Sequence, residues 1–280
     1  MKAIDSEVIS VNNLISKTKI ETCDYTWNPC YGCLNSCKYC YAKKFAKRFA
    51  KSISTNEAFY LLRNGMINQD DLKVILGIGK KIETKIRDFE PIFLESNFNK
   101  KFPQKTQKIF IGSMSEIRFW KEEWLLKIFK KVEKYPQHNF QFLTKYPYIY
   151  HRYEFPSRSW LGFTVNNMKD LAGGIPHIEK VRTMNLSRKY LYYICIEPIL
   201  EEINPLGILL VDWIILGAET GKRKGKIIPK KEWIENIVDY CRRDKISVYL
   251  KDSLKNIYPE KIREFPVPLS GEQKEWKIIK

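Results

Sequence analysis

The second half of the chain is punctuated by short apolar runs that are too continuous for a half-exposed sheet. They fall at Lys108–Gly112, Asn139–Thr144, Trp160–Val165, Tyr190–Ile196, Asp212–Gly217 and Ser247–Leu250. Strands that read this way are buried on both faces, as in a parallel sheet covered by helices. The segments between them carry helical spacing. Over Glu122–Lys134 the residues Trp124, Leu125, Ile128, Phe129 and Val132 share one face, Lys231–Arg243 behaves alike, and Ile178–Met184 adds a short helix. With a first strand at Ile20–Thr26, the pattern predicts an α/β protein of about seven strands. A partial or complete (β/α) TIM-like barrel of parallel strands suits it better than a doubly wound sheet, because no GxGxxG follows the first strand. In such barrels the site lies at the carboxyl ends of the strands.

The pattern also divides the chain. Residues 1–51 hold an N-terminal segment, the first strand and a cysteine-rich loop, followed by a helix at Ala42–Ser52 with Phe45 and Phe49 four apart. Residues 52–101 read as a helical insertion, 102–256 as the rest of the barrel, and 257–280 as a tail. Within the insertion, Asp71–Arg87 has a helix-hairpin-helix pattern. Gly77 and Gly79 would permit a tight turn, and the next helix would begin beside Lys80, Lys81, Lys85 and Arg87. Backbone N–H groups at such a helix start bind phosphate without reading sequence. An ordinary helix–turn–helix packed on the barrel gives the same pattern, since glycine commonly ends helices.

Composition sharpens this. The 280 residues are 44% hydrophobic and 29% charged, enough for a sizeable core and against disorder as the main state. The apolar runs fall short of the roughly 18 residues of a bilayer crossing, and no signal-peptide pattern follows Met1. The expectation is a cytoplasmic protein without a membrane partner. Forty-nine Lys and Arg against 32 Asp and Glu leave +17, which favours a polyanion, with nucleic acid first. Basic runs recur at Lys43–Lys51, Lys100–Lys108 and Lys222–Lys231.

Four of the seven cysteines lie between Cys30 and Cys40, in Trp27-Asn-Pro-Cys30-Tyr-Gly-Cys33-Leu-Asn-Ser-Cys37-Lys-Tyr-Cys40. Clustering of this kind in a reduced compartment argues for a metal or iron–sulfur centre over a disulfide framework. Cys30, Cys33, Cys37 and Cys40 would supply four thiolates to zinc, although only three residues separate the two CxxC pairs, where zinc sites usually use a dozen or more. Alternatively Cys33, Cys37 and Cys40, spaced C-x3-C-x2-C, hold three irons of a [4Fe–4S] cluster and leave the fourth open. Cys23 and Cys30 then fall to packing or a secondary role. His138, His151 and His177 pair with no Cys or Glu at ligand spacing, and no GxSxG, HExxH or P-loop occurs.

The C-x3-C-x2-C loop with aromatic Tyr39 before its last cysteine resembles the radical S-adenosylmethionine superfamily. Beyond it, TWNPCYGCLNSCKYCYA, KIFIGSMSE, YPQHNFQFLTKYP, WLGFTVNN, CIEPIL and DWIILGAETG resemble the blocks of a phage-associated, uncharacterised radical-SAM-like family. That likeness covers Cys23–Arg48 and Phe89–Asp252, and stops over Ser52–Asp88 and beyond Ile257. Spore photoproduct lyase, a DNA repair enzyme, is a more distant likeness through the cluster loop.

The resemblance implies that Cys33, Cys37 and Cys40 hold a [4Fe–4S] cluster and that Tyr39 lies near the adenine of S-adenosylmethionine. Ser113 and Glu116 would stand where the methionyl amine binds, without the usual Gly-Gly-Glu. Thr164, Asn166, Glu197 and Glu219, each following a strand, would reach ribose, amine or substrate. It further implies an electron donor such as a flavodoxin or ferredoxin, and reductive cleavage of the cofactor to a 5′-deoxyadenosyl radical. Combined with the charge, the expected activity is modification or repair of a nucleic-acid base. The alternatives are the same chemistry on a peptide or small metabolite, and a zinc-stabilised nucleic-acid-binding protein without catalysis.

Overall fold

A computed structural model describes residues 14–67, 72–184 and 189–266, of which 72–75, 207 and 209 are described by their backbone alone. In chain order the elements are β1 (Ser16–Lys17), β2 (Tyr25–Trp27), β3 (Cys30–Tyr31), α1 (Tyr41–Arg63), α2 (Leu72–Asp88), β4 (Ile92–Phe93) and α3 (Glu95–Phe98). There follow β5 (Lys108–Ile111), α4 (Glu122–Val132), β6 (Asn139–Thr144), β7 (Trp160–Thr164) and α5 (Met168–Met184). The last are β8 (Leu191–Ile196), β9 (Trp213–Leu216), α6 (Lys231–Arg243) and β10 (Ser247–Leu250).

The protein is α/β, built on an eight-stranded sheet in the order β1-β2-β5-β6-β7-β8-β9-β10. Only the edge strand β1 runs antiparallel; β2 and β5 through β10 are parallel neighbours in chain order. Pleating sends alternate residues to opposite faces. One face carries Ile109, Phe142, Phe163, Ile194 and Leu216, buried beneath Leu125, Ile128 and Phe129 of α4, Ile178 and Val181 of α5, and Ile234, Ile237 and Val238 of α6. The other face is lined by Trp160, Tyr193, Cys195, Trp213, Ile215 and Tyr249, with Phe265 packed on them. There Gly162 leaves room for a ring, since a Cβ would sit 2.2 Å from Cζ of Tyr193.

No ladder joins β10 to β2. Side chains span that gap: the Tyr249 hydroxyl donates to the Glu21 carbonyl at 3.0 Å, the Asp252 N–H to the Glu21 carboxylate, and Arg263 pairs with Glu21. At the amino end, Phe265 meets Trp213 and Tyr249, while the Trp213 indole donates to the Glu264 carbonyl at 2.9 Å.

Two expectations are corrected. The hairpin at Gly77 and Gly79 is absent: both lie inside α2, a continuous helix in which Lys80, Lys81 and Lys85 are interior positions. No helix begins at Lys80, so the backbone phosphate site expected there loses its geometry; Asp71 lies outside the described residues. Gly79 faces Ala58 of α1 without crowding, since a Cβ added there would lie 3.9 Å from Cβ of Ala58. The boundary at 51/52 falls within α1, which runs on to Arg63. Glu57 anchors that extension: its buried carboxylate accepts the N–H groups of Glu95 (2.8 Å) and Ser96 (3.0 Å) at the start of α3. Residues 1–13 and 267–280 of the outer segments lie outside the described residues.

Candidate active site at the carboxyl edge of the sheet

Because seven strands run parallel, the residue after each one reaches the same edge. Asn28 follows β2, Ser113 follows β5, Lys145 follows β6, Asn166 follows β7, Glu197 follows β8 and Lys251 follows β10. Chain ends of this kind place polar groups beside a hydrophobic floor.

The cysteine loop leaves β2 through β3. Gly32 has φ of 94°, and a Cβ there would sit 2.1 Å from the Glu90 carbonyl oxygen, so only glycine lets the chain turn into Cys33. The loop is then fixed by backbone bonds from Gly32 N–H to Met114 O (3.0 Å) and Cys33 N–H to Phe89 O (2.9 Å). The Cys33 sulfur accepts from Asn35 N–H and the Cys40 sulfur from Lys43 N–H, both at 3.3 Å. Cys40 is thereby the N-cap of α1. Burial pushes the Cys33 thiol up to about 11, with the Asn35 N–H acting against it. Cys30 differs: it is fully enclosed in β3, and burial holds its thiol well above the usual range.

Across the edge, the Tyr39 hydroxyl donates to Asn166 Oδ1 at 2.6 Å, and Lys145 Nζ donates to the same oxygen at 2.5 Å. Asn166 spends its amide on the Pro198 carbonyl at 2.8 Å and its backbone N–H on Asp170. The Tyr146 hydroxyl donates to Asn35 Oδ1 at 2.6 Å, and Arg118 stacks over the Tyr146 ring at 4.3 Å. The loop is thus tied to β6 and β7 from its two sides.

The remaining predicted residues divide. Ser113 donates to Asn28 Oδ1 at 3.1 Å, and its carbonyl accepts the Tyr41 hydroxyl at 2.9 Å. Glu116 is buried and braces the floor: Thr144 and the N–H groups of Lys145 and Arg118 donate to it. Burial raises its pKa, which those donors partly offset. Glu197 pairs with Lys251, beside the Cys195 thiol. Burial works to lower the Lys251 pKa, but Glu197, Cys195 and Glu21 more than offset it, and the amine stays charged. Glu219 is held by Nε and Nη2 of Arg223 at 2.6 and 2.7 Å, which lower its pKa. Thr164 is half-buried at the end of β7 beside Cys195 of β8. Asn28, Lys145, Tyr146 and Lys251 join the site without having been singled out by sequence. A signal for them exists: each directly or almost directly follows a strand.

The donor set suits an iron–sulfur cluster in kind, with three half-exposed thiols on one loop and two of the sulfurs already accepting backbone N–H bonds. Among the described residues, no three His, Cys, Asp or Glu side chains are grouped so as to hold a metal ion. The fit is therefore one of donor type and placement.

Fold and loop together define an α/β protein with a cysteine loop at the carboxyl edge of a parallel sheet. The chain belongs to the family described as "Protein of unknown function (DUF5131)", which it matches over residues 17–261. No curated protein and no solved structure matches it. No helix among the described residues is long and apolar enough to cross a membrane.

Proposed function

We propose that this protein is a radical S-adenosylmethionine enzyme acting on nucleic acid, and that its parallel sheet is a partial (β/α) barrel with the cofactors at its carboxyl mouth. The observation that carries the reading is the C-x3-C-x2-C loop poised over that edge, with Tyr39 bonded to Asn166 on β7's end. A cluster held by Cys33, Cys37 and Cys40, with S-adenosylmethionine, supplies reductive cleavage of a sulfonium and hence hydrogen abstraction.

The chain's own residues do the rest. Gly32 sets the turn into the thiol loop, and the Asn35 and Lys43 N–H groups donate to the sulfurs of Cys33 and Cys40. Tyr39, Asn166 and Lys145 form a polar clasp that orients a bound nucleoside. Lys251 and Lys145 offer cations to a carboxylate or phosphate. The aromatic face of Tyr193, Trp213 and Tyr249 closes the floor and excludes water. Nucleic acid as substrate rests on the +17 surplus; a reduced flavodoxin or ferredoxin is the proposed electron source.

The test is anaerobic reconstitution with iron and sulfide, reduction, addition of S-adenosylmethionine and measurement of 5′-deoxyadenosine. Iron incorporation and deoxyadenosine are expected. Cys33→Ala, Cys37→Ala and Cys40→Ala should each lose iron, while Cys30→Ala retains it. A chain that holds about one zinc, takes up no iron and forms no deoxyadenosine overturns the proposal. Equal loss in all four cysteine variants would mean four-thiolate ligation.

A further inference from the structure

Helix α1 presents a face that its own packing does not use. Its buried side carries Ala42, Ala46, Ala50, Ser54, Glu57 and Ala58, with Ile53 and Leu61 packed beside them. Four aromatic residues of the helix are exposed. Tyr41, Phe45, Phe49 and Phe59 are 57%, 45%, 37% and 61% exposed. At 100° per residue, positions 41, 45, 48, 49 and 59 share one stripe, opposite the alanines. Exposed apolar side chains scattered singly need no explanation, but four aromatics aligned on one helix do.

The charge on this helix is one-sided. Between Tyr41 and Arg63 the only acidic residue is Glu57, which is buried and engaged by α3. Lys44, Arg48 and Lys51 stand in or beside the stripe, all exposed. The Arg48 guanidinium lies 5.2 Å from the centre of the Phe49 ring, and the Phe45 and Phe49 rings lie 4.5 Å apart. Aromatic planes interleaved with cations are what a strand of unpaired bases requires: stacking for each base and a counter-charge for each phosphate. A helix lying in a membrane surface segregates its cations onto a polar face; here Arg48 sits among the rings.

The stripe also leads to the site. Cys40 caps α1, and Tyr41, the first residue of the stripe, is bonded to the Ser113 carbonyl at the sheet edge.

The geometry points to α1 as the docking surface for a single-stranded polynucleotide, whose bases stack on Phe45 and Phe49, whose phosphates meet Lys44, Arg48 and Lys51, and whose path ends at the cysteine loop. This rests on the nucleic-acid part of the proposed function and names its strandedness and entry path. A duplex does not satisfy the surface, because its base faces are already stacked on one another.

The test is fluorescence anisotropy of the full-length chain with labelled oligo(dT) and oligo(U) of about 16 nucleotides, each against the matching duplex. Single strands should bind more tightly than duplex. Phe45→Ala with Phe49→Ala should weaken binding by at least about 10-fold, and Phe45→Trp with Phe49→Trp should restore it. Lys44→Ala with Arg48→Ala should flatten the log–log salt slope by about 1.4, because two phosphates are then no longer neutralised by the protein. Absence of binding, an unchanged affinity in the double Ala variant, or equal affinity for duplex overturns the inference. So does a loss confined to binding of phosphatidylserine vesicles. Failure here is separable from failure of the radical chemistry: deoxyadenosine formed without oligonucleotide reports on the latter, and oligonucleotide binding by an iron-free chain on the former.

Discussion

Glu116 shows how a side chain at the carboxyl edge of the sheet can be consumed by the scaffold. The role implied for it by resemblance is to receive the amine of a cofactor, yet its two oxygens already accept from Thr144, Lys145 N–H and Arg118 N–H. An amide in its place would turn an NH2 group toward one of those donors. Glu116→Gln should therefore destabilise the fold by about 1–3 kcal/mol, read as a lower urea midpoint with unchanged slope. A variant of wild-type stability would show that the carboxylate is free for a ligand. Asn166 and Lys145 are the opposite case. The Tyr39 hydroxyl and Lys145 Nζ both donate to Asn166 Oδ1, an acceptor that a nucleoside would compete for, and Lys145 does not stand out in the sequence because a lysine in a lysine-rich chain carries little signal.

At the scale of elements, the strands were legible because parallel strands covered by helices must be apolar on both faces. Asn139–Thr144, Ser247–Leu250 and helix Lys231–Arg243 have the bounds their patterns predict. The helices with glycine were not legible. In α5 the chain is already helical at Met168, although Gly173, Gly174 and Pro176 break the periodicity. Gly174 is there because a Cβ would sit 2.3 Å from the Phe163 ring of β7, so local preference gave way to close helix–sheet packing. In α2 the Gly77–Gly79 pair reads as a turn in the sequence, yet both positions lie within a continuous helix. The junction of α5 with the turn at Pro147–His151 yields a pH prediction. His151 Nε2 lies 3.1 Å from His177 Nδ1, so one ring must donate and the other accept. Burial, then Lys180 and His177, lowers the His151 pKa. A folded-state value below the unfolded one gives stability that is present above the unfolded pKa of about 6.5 and lost as pH falls through the folded one. The melting temperature of the wild-type chain should fall more between pH 7.5 and pH 5 than that of His151→Gln; equal falls would remove this pair from the acid response.

Over the whole molecule, the sheet has a closed end and an open one. Phe265 packs against Trp213 and Tyr249, and the Glu264 carboxylate accepts Val248 N–H at 2.9 Å. The segment thus covers the amino ends of β9 and β10. No sequence pattern announces this, since a single Phe in a polar tail gives no periodicity. Phe265→Ala should cost about 2 kcal/mol, less than a fully buried ring, seen in thermal or urea unfolding. A neutral result would mean that the segment merely rests there. The cysteine loop at the open end was legible because its spacing is local, whereas its anchors lie far off in sequence, on strands whose adjacency only the topology supplies.

The sulfur of Cys40 has two claims upon it, as a thiol of the loop and as the acceptor that caps α1. An N-cap is worth about 1 kcal/mol, so whatever binds that sulfur is thermodynamically linked to the order of the helix's first turn, where Tyr41 and Phe45 stand. Loading of the loop and presentation of the aromatic stripe then become two readouts of one equilibrium.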